Sequence, residues 1–237
     1  LSNGSQELHC LLEEHVDLFG QKGKISQTPC ISHSIDTGSA SAVSCPPYAR
    51  VSPFMAEKQR EAIEEMLALG IIQPSTSSWK SPVVMVRKAN GDFRFCVDYR
   101  RLNAVTLPDT YDLPRIDDIL DIVVGHKVYS TIDLFSGFLQ VPMSPDDVEK
   151  TTFGTTRYGS FAFKVMPFGL ANAPRTFQKL MNSVLFEYLG KSVVVYLDDL
   201  LVFSNDLPQH LSLLREIFAK LRKANLQMNP KKCLFMQ

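Results

Sequence analysis

The apolar positions of the chain fall into short blocks of helical or strand-like spacing. Leu8, Leu11, Leu12, Val16 and Phe19 recur at helical intervals over residues 6–19. Residues 20–50 lose that rhythm to Gly, Ser, Thr and Pro, with Pro46-Pro47 near the end, and predict an extended, mostly irregular arm. Ser52-Pro53 opens a helix with a capping side chain followed by a first-turn proline. Its stripe is Ile63, Met66 and Leu67, and Gly70 ends it. Residues 82–87 and 92–98 read as two strands joined across Ala89-Asn90-Gly91, a strong hairpin signal. Pro114 opens a second helix, with Ile116, Ile119, Leu120 and Val123 on one side and Asp117, Asp118 and Asp121 facing water. A strand over 128–134 and a strand pair at 151–153 and 160–165 follow. Residues 171–189 predict the clearest helix, carried by Phe177, Leu180, Met181, Val184, Leu185 and Tyr188. A last helix over 208–224 turns Leu211, Leu214, Ile217, Phe218 and Leu221 inward, and Asn229-Pro230-Lys231-Lys232 leads into a final short strand.

The most informative stretch is 192–204. Apolar runs at 193–197 and 200–203 flank Asp198 and Asp199, which predicts a tight hairpin with both carboxylates at its tip. Adjacent carboxylates repel, and burying either alone is costly. The pair reads as a solvated turn, since Asp is a common turn residue, or as a site for a divalent cation, whose preferred ligands are oxygens. From residue 114 the order helix, strand, strand pair, helix, hairpin, helix, strand suits a mostly antiparallel sheet with helices on one face, an α+β layer. In such a layer Asp133, near the end of its strand, can sit beside the hairpin tip.

Composition narrows the picture only partly. A chain of 237 residues forms one large domain or two small ones, and 45% hydrophobic content is ordinary for a globular protein. With 25 basic and 25 acidic residues, any footprint for a polyanion must be local. One basic group is expected on the 82–98 hairpin: Arg87, Lys88, Arg94, Arg100 and Arg101. It reads as a solvated face or as a finger that grips phosphates through forked guanidinium donors. Arg215, Lys220, Arg222, Lys223, Lys231 and Lys232 form a second group, part of which is also a candidate solvated helix face. The five cysteines are scattered without a C-x-x-C pair, so neither a zinc site nor a disulfide framework is indicated, and a reducing, intracellular compartment is expected. Asn3-Gly4-Ser5 fits the glycosylation pattern, but no signal peptide accompanies it. No apolar run approaches membrane-spanning length. Ile35-Asp36-Thr37-Gly38 mimics an aspartic-protease triplet, yet that chemistry needs two aspartates in a β-rich cleft and this one lies in an arm. The chain starts at Leu1 and stops at Gln237 inside a patterned segment, as expected of a piece of a longer polypeptide.

Longer motifs point to a family. Tyr196-Leu197-Asp198-Asp199, Asp133-Leu134-Phe135-Ser136-Gly137-Phe138, Met166-Pro167-Phe168-Gly169-Leu170-Ala171-Asn172-Ala173-Pro174, Arg94-Phe95-Cys96-Val97-Asp98-Tyr99-Arg100 and Leu102-Asn103 resemble the reverse transcriptases of gypsy-type LTR retrotransposons. The similarity runs from around residue 8 to the end and takes in the arm. It implies right-hand polymerase fingers and palm, with the palm an antiparallel sheet under helices packed on one face, and with the thumb absent. The expected layout is an N-terminal helix and arm over 1–50, fingers over 51–113 and palm over 114–237, with a fingers insertion near 142–170.

The resemblance also implies RNA-directed DNA synthesis from deoxynucleoside triphosphates on an RNA or DNA template. Asp133, Asp198 and Asp199, with the backbone of Leu134, would hold two Mg2+ ions, Mn2+ being the alternative. Lys88 and Arg94 would hold the triphosphate, Phe135 would line the nucleotide site, and Phe138 would pack against the sugar where a 2′-hydroxyl would stand. Phe168 and Gly169 would shape the nucleotide pocket, Lys232 would assist the pyrophosphate leaving group, and Pro174, Gln178 and Tyr196 would face template and primer. Phe138 has a plainer reading as core, and Lys232 one as a solvated turn lysine. Departures from the family pattern are Leu139, where a His or other polar residue is common before Gln140, and the less charged turn Lys88-Ala89-Asn90-Gly91. Phe168 stands where retroviral enzymes have Gln, which is normal for the gypsy branch. A thumb, RNase H and integrase are expected in the parent polyprotein, in a cytoplasmic particle or the nucleus, with no membrane partner. Two other readings compete: an inactive, host-retained copy that binds nucleic acid, and an RNA polymerase of the same palm type, which Phe138 opposes.

Overall fold

The computed structural model describes the chain apart from residues 1, 2, 22, 49, 50, 89, 90, 113, 197 and 198. In chain order the elements are α1 (Asn3–Glu14), a 3-10 turn (Val16–Leu18), α2 (Pro53–Ala68), β1 (Ile72–Pro74), β2 (Ser81–Arg87), β3 (Phe93–Val97), α3 (Arg100–Val105), α4 (Ile116–Val123) and β4 (Val128–Asp133). Two further 3-10 turns (Gly137–Gln140 and Pro145–Thr151) precede β5 (Phe153–Thr155), β6 (Gly159–Phe163), α5 (Ala173–Val184), β7 (Val193–Tyr196), β8 (Asp199–Ser204) and α6 (Leu207–Lys223). They form two compact units, one of Leu1–Ile31, Thr110–Gln140 and Pro174–Gln237, the other of Ser32–Asp109 and Val141–Ala173. No helix among the described residues is long and apolar enough to cross a membrane.

The second unit is built on a five-stranded sheet in the order β1-β6-β5-β2-β3, antiparallel except where β2 meets β5. Phe153 is fully buried at its centre and packs against Phe95, Phe161 and Phe163. The part of the irregular arm from Ser32 onward is stapled to this unit: Ile35 N donates to Asp147 Oδ2, Lys150 Nζ donates to Ile35 O, and Lys150 pairs with Asp147 at 2.7 Å. Asp36 spends its carboxylate on a local turn, accepting from Gly38 N at 2.8 Å. A single exposed aspartate tied up in this way accounts for the protease-like triplet without a protease.

The first unit carries a three-stranded antiparallel sheet in the order β4-β8-β7. Side chains alternate between its faces. Val128, Ser130 and Ile132 of β4, Leu200, Val202 and Ser204 of β8, and Val193 and Val195 of β7 share one face, and all are buried. Helix α6 covers that face. His210 is fully buried between Ser130 on β4 and Ser204 on β8, 2.7 and 2.9 Å from their hydroxyls. The opposite face, with Tyr129, Thr131, Asp133, Tyr196, Asp199 and Leu201, is more open.

Several expectations need correction. The first helix stops at Glu14, and Val16, expected in its stripe, is exposed beyond it. Ile116 and Leu120 of α4 are exposed too, so its apolar stripe does not face the core of its unit. The strand expected at 151–153 lies at Phe153–Thr155, because Thr151 and Thr152 turn their hydroxyls to Val148 O and Glu149 O and finish the 3-10 turn. Helix α5 ends at Val184 rather than 189. Tyr188 O accepts the amides of Lys191, Ser192 and Val193 and turns the chain into β7. The final strand is a single bridge, Leu234 to Thr131 on the edge of β4. Strand β1 and helix α3, both short, had no signal in the pattern.

Candidate active site

Register brings the acidic residues together. Asp133, the last residue of β4, lies directly opposite Asp199, the first of β8, and Asp199 lies opposite Tyr196 on β7. Residues directly opposite in an antiparallel pair point to the same face with Cβ atoms about 5 Å apart, so both carboxylates stand on the open face. Asp133 is 9% exposed and Asp199 is exposed. Asp198, the third expected ligand, and Leu197 lie outside the described residues. Lys232 Nζ stands 3.0 Å from Asp133 Oδ2. The main chain is fixed alongside, with Asn229 N donating to Asp133 O at 2.8 Å. Cys233 Sγ reaches the same carbonyl at 3.6 Å, and burial pushes its thiol pKa up. No group of three potential metal ligands occurs among the described residues. The two described carboxylates form an all-oxygen pair on one face, which fits a hard cation such as Mg2+.

The loop after Asp133 shapes the rest. Ser136 takes a left-handed backbone (φ 50°), and the chain winds into the 3-10 turn that carries Phe138. The half-buried Phe138 ring packs on Phe177 of α5, with centroids 5.4 Å apart. The core reading of Phe138 therefore holds for the part of the ring that meets Phe177, and the side chain as a whole is only half-buried. Leu134 is buried and bridged to Met228. Phe135 packs on Gly20 so closely that a Cβ there would lie 2.3 Å from its ring, a contact only glycine permits. Nothing in the local sequence announced Gly20, whose partner is more than a hundred residues away.

On the second unit, Lys88 and Arg94 are exposed on the β2–β3 hairpin, whose described part closes through Lys88 N to Asp92 O at 2.7 Å. Ala89 and Asn90 of its tip lie outside the described residues. Arg100 and Arg101 stand on α3, not on the hairpin. Arg100 forks onto Asp98 at 2.7 and 2.8 Å, and Tyr48 adds a third hydrogen bond. That guanidinium holds the Asp98 carboxyl well below the usual range. Phe168 is 60% exposed beside Gly169, whose φ of +96° favours glycine. Asn103 holds their loop by donating to Gly169 O and accepting from Ala171 N, while Asn172 ties the same run to Leu107 and Asp109. Both asparagines lie within the family motifs, but their spacing in the sequence does not announce this role.

Of the residues expected to face template and primer, Pro174 lies half-buried on the first turn of α5, and Tyr196 is half-buried. Gln178 is 1% exposed and donates to Asn182 Oδ1 and Val195 O, which makes it a tie between α5 and β7. The second basic group is largely engaged. Arg215 pairs with Glu14, Lys220 with Glu187, and Arg222 with Asp17.

A family model described as "Reverse transcriptase (RNA-dependent DNA polymerase)" matches residues 86–237. The retrovirus-related Pol polyprotein from transposon opus of Drosophila melanogaster is 39% identical over 231 residues, 92% of this chain and 23% of that protein. An RNA-directed DNA polymerase homolog from Oenothera berteroana is 50% identical over 127 residues, 52% of this chain and 89% of that protein. The solved structure of the foamy viral protease-reverse transcriptase in complex with dsDNA matches with a TM-score of 0.89 at 25% identity, covering 100% of this chain and 49% of that one. The chain thus spans about a quarter of the polyprotein relatives it matches, 23% for opus and 22% for transposon 297 of the same fly.

Proposed function

The chain belongs to the reverse transcriptase (RNA-dependent DNA polymerase) family, among the gypsy-type LTR retrotransposon Pol polyproteins, and we propose that it is the fingers-and-palm core of an RNA-directed DNA polymerase that adds deoxynucleotides to a primer 3′ end. The observation that carries this is the register pairing of Asp133 with Asp199 on the open face of β4 and β8. Asp133, Asp198 and Asp199, with the backbone of Leu134, would hold two Mg2+ ions or Mn2+. When bound, such a pair stabilises the attacking and leaving oxygens of an in-line displacement at phosphorus.

The rest belongs to the chain's own residues. The primer 3′-hydroxyl gives up its proton to water, its oxygen bonds to the α-phosphorus as the α–β bridging bond breaks, and the electron pair leaves with pyrophosphate. Lys232 holds a proton at Nζ beside Asp133 and is the group we assign to that leaving oxygen. Lys88 and Arg94 bind the triphosphate by charge and, for Arg94, by a forked donor set. Phe138, with one part of its ring fixed on Phe177, excludes a 2′-hydroxyl, and Phe135 lines the same nucleotide site. Phe168 and Gly169 line the nucleotide and template pocket. Pro174 and Tyr196 face template and primer, with Gln178 supporting them from beneath.

The first compact unit is the palm and the second the fingers. The partners are an RNA template, a DNA primer and deoxynucleoside triphosphates, and the dsDNA-bound foamy viral relative supports the nucleic-acid part. Thumb, RNase H and integrase are assigned to the parent polyprotein, and the compartment is intracellular, consistent with five free cysteines.

The test is extension of a labelled primer on matched RNA and DNA templates with Mg2+ and deoxynucleotides. Extension on both supports the proposal. A folded chain that binds the hybrid but adds nothing would favour a nucleic-acid-binding module instead.

A further inference from the structure

Gln140 lies outside every role assigned above, yet it is fully buried and its side-chain amide makes four hydrogen bonds. Nε2 donates to Phe135 O at 2.8 Å and to Gln227 O at 3.0 Å. Oε1 accepts from Gln227 N at 2.7 Å and from the Ser26 hydroxyl at 3.2 Å. Two donated and two accepted bonds are the full capacity of a carboxamide. Its own carbonyl accepts from Thr28 N at 2.8 Å.

The partners are the functional surroundings of the site. Gln140 ends the 3-10 turn that carries Phe138, and its side chain folds back onto Phe135 O, so the amide closes the loop 135–140 on itself. Gln227 begins the run that crosses to Asp133 through Asn229 N and ends at Lys232. Ser26 and Thr28 belong to the N-terminal segment, which also supplies Gly20 beneath Phe135. One amide therefore fixes three stretches against each other: the sugar-contacting loop, the lysine-bearing run and the N-terminal segment.

We propose that Gln140 is a positioning residue for nucleotide selection, and that residues 20–28 act through it on the loop that bears Phe138. The inference rests on the polymerase reading above. An aliphatic side chain of similar length fills the space of Gln140 but leaves Gln227 N, Gln227 O, Phe135 O and the Ser26 hydroxyl without this partner. The loop that bears Phe138 then loses its register with the run that bears Lys232. The consequence falls on how well the nucleotide is held and which sugar is accepted, more than on the chemical step.

The experiment compares wild type, Ser26→Ala, Gln140→Met and the double variant in single-nucleotide addition, with deoxy- and ribonucleotide, alongside thermal melts. Ser26→Ala removes one bond at a remote residue and should raise the deoxynucleotide KM roughly threefold with kcat unchanged. Gln140→Met should raise KM about tenfold or more and lower deoxy-over-ribo discrimination, with kcat within about twofold. The double variant should be no worse than Gln140→Met, because the Ser26 bond is already gone. A fall in kcat with KM and discrimination unchanged, or fully additive effects, would overturn the proposal, since a merely structural role reduces the active fraction and no more.

Amide hydrogen exchange separates this from failure of the polymerase reading. If wild type adds no nucleotide, that reading fails by itself. The clamp is then judged on Phe135 and Asn229, whose amides bond to Gln227 and Asp133 and not to Gln140. Faster exchange there in Gln140→Met, with α5 and α6 unchanged, supports it, and unchanged exchange overturns it.

Discussion

At the scale of single residues, the proposed site is set by close packing around Phe138 and Phe135. Phe138 is bulky and offers no hydrogen-bond acceptor, and its ring is already committed to Phe177. Phe138→Val should raise ribonucleotide incorporation relative to deoxyribonucleotide, in single-nucleotide addition, by at least about tenfold. Unchanged discrimination would place the gate elsewhere. Gly20→Ala brings a Cβ to 2.3 Å from the Phe135 ring. It should cost roughly 1–3 kcal/mol of stability through overpacking, read as a lower unfolding midpoint, and it should weaken nucleotide binding with it. The carboxylates were legible in the sequence because apolar runs isolate them, and Phe138 because it sits in an ordered motif. Gly20 and Gln140 were not, since their meaning comes from contacts with residues about a hundred positions away. Asn103 belongs to a family motif, but its hold on the Gly169 loop emerges only in the fold.

At the scale of elements, a hydrogen-bonded chain locks α6 to the sheet. Met236 N donates to Ser130 Oγ, and Ser204 Oγ donates to Asp206 O. The Ser130 hydroxyl therefore donates to His210 Nε2, while His210 Nδ1–H donates to Ser204, which fixes a neutral tautomer. Burial pushes the His210 pKa down, and on the second unit it pushes that of His33 down to about 4, against the pull of Asp147 and Asp109. In both cases the folded state binds its proton more weakly than the unfolded chain. Stability is then complete above pH about 6.5 and lost as pH falls toward about 4. His33 alone accounts for roughly 3 kcal/mol of that loss. Urea titrations across this range should show the loss, and a flat profile would contradict it. His210→Phe should cost roughly 1–3 kcal/mol, because the buried Ser130 hydroxyl loses its acceptor and Ser204 loses one of its two bonds. Element identity was readable where a stripe is long, as in α5 and α6. The ends were not, because Tyr188 O gathers three amides into a turn, a main-chain event that no side-chain period reports. α4 shows the converse: a clear apolar stripe whose Ile116 and Leu120 remain exposed.

At the scale of the whole molecule, equal numbers of acidic and basic residues leave affinity for a polyanion to local clusters, and the fold narrows these further. Arg215, Lys220 and Arg222 already face Glu14, Glu187 and Asp17. If only about four phosphates are neutralised, the log–log dependence of hybrid binding on salt should have a slope near −3 to −4. Binding should be weak and lost at moderate salt. Synthesis by residues 1–237 should be distributive, a few nucleotides at a time, and long products made against excess trap template would contradict this. The central claim, that paired carboxylates at the ends of β4 and β8 perform metal-dependent nucleotidyl transfer, is tested most directly by the single-turnover rate of one deoxynucleotide addition to a primer on RNA, compared between wild type and Asp199→Asn at equal hybrid occupancy and equal melting temperature. The account predicts a loss of at least about a thousandfold, the several kcal/mol that a metal pair contributes to such a step. A folded, hybrid-bound Asp199→Asn chain adding the nucleotide at the wild-type rate would contradict it.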